Sequence, residues 1–155
     1  MLGKDFIAPS SSICTAATIA ANFVAENGKN ITFDGNYVTA ENGLGGAIFN
    51  ATTGTVGLYA SADYSITFTG DTTGLPSTAR NVDSIHNIGI LNINGDGNGT
   101  TYAGTVNLNT VSDADTPRGT MNIYGGTVNA NANIEQDIIN IKNQLFLYNT
   151  ENVVE

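Results

Sequence analysis

Positive charge is scarce in this chain. Lys4, Lys29, Arg80, Arg118 and Lys142 stand singly against 14 carboxylates, for a formal net charge of −9. No basic stripe is available to neutralise phosphates, which excludes nucleic acid and anionic membrane surfaces as partners. Cysteine is nearly absent as well. Cys14 alone rules out an internal disulfide and a cysteine-based zinc site. With no Lys, Arg or His nearby in sequence to lower its pKa, it reads as a small buried apolar residue. Long apolar runs are missing, and none approaches the ~18 residues of a membrane span. The opening stretch "MLGKDFIAPSSSICTAATIAA" is broken by Asp5, Pro9 and three serines, which removes the apolar centre of a signal peptide. It reads as folded protein or a cut edge.

What is present fills the gap with amides and hydroxyls. Charged residues make up 12% of the chain, about half the usual share, while 41% is apolar. Asn, Gly and Thr compete with helix hydrogen bonding or leave the backbone too free, so they favour turns and strands. The expected class is all-β, and 155 residues suit one domain with one continuous core.

The chain repeats itself. "GILNING" (89 to 95), "GTVNLNT" (104 to 110) and "GTMNIYG" (119 to 125) align without gaps at intervals of 15, and "DIINIKN" (137 to 143) follows. Each holds an apolar, Asn, apolar triplet centred on Asn92, Asn107, Asn122 or Asn140, the period of two of a strand with one buried face. Thr replaces Asn in Ile31-Thr32-Phe33 and Ile66-Thr67-Phe68, and Gly does so in Val56-Gly57-Leu58. Short strands ending in Gly/Asn corners cannot bury an apolar face alone, but stacked coils can. The expectation is a β-solenoid in which equivalent strands lie about 4.8 Å apart, with the four asparagines lining an outer face. The alternative is a β-sandwich of hairpins, for which Asn94-Gly95 is a turn signal.

Residues 1–28 are expected to form an N-terminal cap or a first irregular coil, 29–148 the repeats, and 149–155 a tail or a truncated next coil. Within "SICTAATIAANFVAEN", alanines and the Ile19/Phe23 spacing fit a short helix stopped by Asn27-Gly28. Ile13, Thr15 and Thr18 suit strands equally. Residues 70 to 81 and 110 to 120 are turn-rich and read as loops that project from the stack.

No chemical constellation stands out. "NGDGNG" (94 to 99) and "NGLGGAIFN" (42 to 50) run into strands, whereas a phosphate loop needs a following helix. Asp96, or Asp113 with Asp115, supplies too few carboxylates for a calcium site. Asp83, Ser84 and His86 are close, yet in a strand Asp83 points away from the other two, and His86 reads as a surface or loop residue. A polysaccharide lyase or hydrolase would use Arg80 or Arg118 with Asp83, Asp113 or Asp115, and these are scattered. Three glycosylation sequons are accounted for by the Asn/Ser/Thr-rich composition. No catalytic, cofactor or metal residue is therefore assigned.

"NITFDGN", "GGAIFN" and "SITFTGDT" together resemble the repeats of polymorphic membrane proteins and related autotransporter adhesins. Those repeats pair a GGA-aliphatic motif, matched by Gly45, Gly46, Ala47 and Ile48, with an F-x-x-N motif, matched by Phe33 and Asn36. The resemblance covers roughly residues 30 to 148. It implies a right-handed parallel β-helix at the surface of a Gram-negative bacterium, carried as part of a longer precursor. The implied role is adhesion or structural display through a host-cell receptor or surface glycan. The chain departs from that pattern in having one GGA motif, and it is expected to be a passenger fragment or else a small free-standing relative. A small self-assembling solenoid, associating through its ends, is the alternative.

Overall fold

The computed structural model describes residues 6–8, 13–15, 20–34, 46–69, 84–112, 119–142 and 147–149. Among them all regular structure is β, and every ladder between strands is parallel. The chain visits three sheets in a constant order. β1 (Phe6–Ala8), β2 (Ile13–Thr15) and β3 (Ala20–Ala25) open the three sheets in turn. β4 (Ile31–Phe33), β5 (Ile48–Asn50) and β6 (Thr55–Ala60) add one strand to each. The next circuit is β7 (Ser65–Phe68), β8 (Ile85–Asn87) and β9 (Ile90–Ile93), followed by β10 (Thr105–Leu108), β11 (Val111–Ser112) and β12 (Thr120–Ile123). β13 (Thr127–Ala130), a single bridge from Ile134 to Val111, β14 (Ile138–Ile141) and β15 (Leu147–Asn149) continue the order.

The sheets thus run β1-β4-β7-β10-β13-β15, β2-β5-β8-β11 and β3-β6-β9-β12-β14. Parallel pairing excludes the sandwich of hairpins, because an antiparallel neighbour would have to return directly through a tight turn. The helix considered for the N-terminal segment is also overturned. Ile13–Thr15 and Ala20–Ala25 are strands, and β3 pairs along its whole length with β6, from Ala20↔Thr55 to Ala25↔Ala60. Six ladder positions outweigh the weak helical preference of an alanine-rich stretch.

One core lies between the sheets. Ile31, Phe33, Ile66, Phe68, Val106, Leu108 and Val128 reach it from the first sheet, Ile48, Ile85 and Val111 from the second, and Val56, Leu58, Leu91, Ile93, Met121 and Ile123 from the third. The period of two decides this, since inward positions alternate with outward Thr, Asn and Gly. Each buried aliphatic side chain contributes roughly 1.5–3 kcal/mol. Phe33 and Phe68 occupy paired positions and stack at 4.5 Å, with Phe23 edge-on to Phe33 at 5.3 Å.

Corners between the third and first sheets use left-handed backbone. Asn27 (φ 55°) and Gly28 (φ 81°) turn the first, Asp63 (φ 69°) the second, Asn94 (φ 53°) the third and Gly126 (φ 67°) the fourth. The third corner differs by an inserted loop. Between Ile93 and Thr105 the chain runs through residues 94–104, where the fourth corner needs only 124–126.

Candidate functional site at the inserted corner

The loop 94–104 is built on two polar anchors. Asn94 turns its side chain inward, fully buried, where Oδ1 accepts the Ala60 amide at 2.9 Å and Nδ2 donates to the Gly104 and Gly125 carbonyls at 3.1 Å each. Asp96 Oδ1 accepts the Asn98 amide at 2.8 Å, an Asx turn that shapes the loop tip. The base is closed by an isolated antiparallel bridge between Gly95 and Thr101 and by the Tyr102 amide donating to the Asn94 carbonyl at 3.0 Å. The Asn-Gly turn signal at 94–95 therefore marks this small loop.

Three tyrosines gather at the loop, with Tyr102 within it and Tyr59 and Tyr124 beside it. Tyr59, next outward after Gly57 on β6, stacks on Tyr102 at 5.1 Å and is only 5% exposed. Gly57 leaves room for that ring, since a Cβ there would overlap the Tyr59 hydroxyl end. Tyr124 lies across the loop base, with a Cβ on Gly95 meeting its Cβ at 2.5 Å and its ring Cγ at 2.8 Å, and one on Gly97 meeting its hydroxyl at 2.9 Å. Glycine at these two positions thus permits the close approach of ring to backbone. Tyr124 also forms the floor of an open cavity of about 420 Å³, whose walls are Gly97, Gly99, Thr100, Thr101 and Lys142.

Burial pushes the Tyr59 phenol above its ordinary value of 10.0, and the Asp96 carboxylate, Tyr102 and Tyr124 push it the same way, while a hydrogen bond from Asn92 opposes them. The fold holds the neutral phenol more tightly than the unfolded chain does. Its stabilisation is complete below the unfolded value and is lost as pH rises from about 10 through the folded value. Ultraviolet titration of phenolate absorbance is expected to show a late-ionising tyrosine that disappears in Tyr59→Phe. Retention of that late step in the variant would assign it elsewhere.

The outer asparagines separate into two ladders. Asn140 donates to Asn122 at 2.9 Å and Asn122 to Asn92 at 3.0 Å, along β14, β12 and β9. Asn107 lies on the first sheet, where it donates to Thr67 at 2.9 Å and accepts from Asn129 at 2.7 Å. The interval of 15 therefore spans two sheets and is not one turn of the stack. Along the third sheet, Ala20↔Thr55, Thr55↔Ile90, Ile90↔Thr120 and Thr120↔Ile138 give turns of 35, 35, 30 and 18 residues.

In "GGAIFN", Gly46 and Ala47 are buried, Ile48 enters the core, Phe49 faces outward and Asn50 inward. The Ala47 and Ile48 amides both donate to the Ser84 carbonyl, at 3.0 and 3.1 Å. Phe33 lies in the core, while Gly45 and Asn36 fall outside the described residues, as do Arg80, Asp83, Asp113, Asp115 and Arg118. Cys14 belongs to β2, its Cα paired with Phe49. The surface reading of His86 is corrected. It is fully buried on β8 and stacks on Phe49 at 5.5 Å, because their strands are paired in register. Among the described residues, no three His, Cys, Asp or Glu side chains gather to hold a metal.

Sequence reasoning missed Tyr59, Tyr102, Tyr124 and Lys142. The available signal was positional, since Tyr59 and Tyr124 each occupy the outward position two residues beyond Gly57 or Asn122. No protein-family model, curated protein or solved structure matches the chain.

Proposed function

We propose that the three parallel sheets are the faces of a right-handed β-solenoid, a parallel β-helix of the autotransporter-passenger kind, and that it serves attachment or structural display at a bacterial surface without catalysis. The observation that carries this reading is the constant order in which the chain visits the three sheets, with apolar residues kept in register inside. The right hand is the sense that twisted parallel strands and their crossovers favour. Five or six strands stacked at ~4.8 Å make a rod section on the order of 20 Å long. Such a section holds its corners rigidly, and loops at those corners can vary without disturbing the core. The polar ladders on two outer faces suit display in water with few charges, and the buried Ala47-Ile48 pair agrees with the structural use of the GGA-aliphatic motif.

Beads coated with the chain and offered to epithelial cells, extracellular-matrix films and bacterial cells test the role. Saturable attachment, competed by free protein, is the expected result. Attachment no greater than that of beads carrying an unrelated all-β protein would remove the adhesion reading.

A further inference from the structure

We propose that the cavity over Tyr124 is a saccharide subsite that takes one pyranose ring of a glycan. The inference rests on the attachment reading above and names its ligand class and the residues that contact it.

A pyranose offers a face of C–H groups and an edge of hydroxyls, so its receptor needs an aromatic plane beside polar donors and acceptors. Tyr124 supplies the plane. Its ring is half-buried and held against Gly95 and Gly97, so little side-chain freedom remains to be lost on binding. Thr100, Thr101 and Lys142 ring the plane and are all exposed. The threonine hydroxyls can donate and accept, and the Lys142 ammonium can only donate. Gly97 (φ 80°) and Gly99 (φ 101°) leave their peptide groups unshielded at the rim, and around the Cβ position of Gly99 the space is open. A volume of about 420 Å³ lies in the small-molecule range of ~300–1,000 Å³.

Among the described corners from the third sheet to the first, the loop that builds this cavity is the enlarged one. The fourth corner makes the same passage with residues 124–126, so the extra residues of 94–104 are not required by the fold. They are held in one shape by Asn94, by the Asp96 turn and by the Gly95–Thr101 bridge. An aromatic ring with a lysine would also suit a nucleotide base. The formal charge of −9, and the Asp96 carboxylate close enough to perturb Tyr59, disfavour the phosphate that comes with one.

The test is a glycan array with fluorescently labelled protein, followed by titration calorimetry with neutral and uronic-acid oligosaccharides and, as a control, with mononucleotides. Binding of a subset of oligosaccharides is expected, weakened at least tenfold in Tyr124→Ala and less than about threefold in Tyr124→Phe, which keeps the ring. Thr100→Trp fills the cavity from an exposed position and is expected to abolish binding with an unchanged melting temperature, which covers the case of Tyr124→Ala failing to fold. Selective loss of the uronic ligands in Lys142→Ala would identify an acidic sugar, and an even loss a neutral one. Absence of saccharide binding at millimolar ligand, equal binding by Thr100→Trp, or preference for mononucleotides overturns the proposal. Beads that still attach to cells in that event leave the attachment reading standing. Beads that fail to attach, with saccharide binding intact, overturn that reading alone.

Discussion

Replacing Asn94 by alanine is expected to cost about 3–6 kcal/mol, enough to unfold much of a domain of ordinary stability. Asn94 accepts the Ala60 amide and donates to the Gly104 and Gly125 carbonyls, so it ties together three neighbouring turns of the chain. Alanine takes the acceptor from the Ala60 amide and a donor from each of two carbonyls, of which Gly104 keeps the Thr127 amide at 3.0 Å, in a region where Asn94 itself has no exposed surface. Each such loss costs roughly 1–3 kcal/mol. Backbone adds to this, since φ is 53° and a left-handed alanine costs about 1–2 kcal/mol more. Asn94→Gly relieves the backbone cost and keeps the hydrogen-bond losses, so it is expected to fall between wild type and Asn94→Ala. Asn94→Asp keeps the acceptor but turns a carboxylate oxygen toward two carbonyls, and is expected to be at least as harmful as alanine. Denaturant unfolding of the three variants checks the order. A change below about 1 kcal/mol in Asn94→Ala would show that water replaces the side chain there.

The alternation of apolar and polar residues made the strands legible. Triplets such as Ile31-Thr32-Phe33, Ile66-Thr67-Phe68 and Met121-Asn122-Ile123 all occur as strands with their apolar members inward. Stacking followed from the same pattern, because short strands with one apolar face must share a core. The length of a turn was not legible. "GTVNLNT" and "GTMNIYG" look alike because strands on different sheets face the same core and the same solvent, so they are chosen by the same physics. Only register distinguishes them, and register is set by corners whose length varies from residues 94–104 to residues 124–126.

The site was harder to read than the fold. Tyr59, Tyr102 and Tyr124 are separated in sequence, and what brings them together is the pairing of β6, β9 and β12 plus the return of one loop. By its local pattern "NGDGNG" invites comparison with phosphate and calcium loops, whose ligands can be recognised locally. Its observed role is to shape a loop beside an aromatic ring, which local pattern cannot disclose. His86 illustrates the same limit, since the cross-strand ring it stacks on, Phe49, is distant in sequence. Asn94, read as a turn signal, also fills a polar position inside the protein, which its neighbours in sequence do not reveal.

A second row of buried amides allows a sharper test. At the corner between the second and third sheets, Asn50 Nδ2 donates to Asn87 Oδ1 at 2.6 Å and to the Ile90 carbonyl at 3.0 Å, while Asn87 Nδ2 donates to Gln136 Oε1 and approaches the Thr120 carbonyl at 3.4 Å. Both asparagines are fully buried. Asn87→Ala deprives one Asn50 amide hydrogen of its acceptor and leaves Gln136 without that donor, for an expected loss of about 2–4 kcal/mol. Asn50→Ala is expected to cost a similar amount by the same reasoning. The double variant no longer contains the broken Asn50–Asn87 contact as a penalty counted twice, so its loss should fall short of the sum by about 1–3 kcal/mol. Gly119 gives the row its geometry, because a Cβ there would overlap the Asn87 carbonyl and press on its side-chain amide. Denaturant unfolding of the two single variants and the double closes the cycle. Strict additivity would mean that the two amides act independently, and that the corner is held by its apolar neighbours Ile48 and Ile85 in place of a polar ladder.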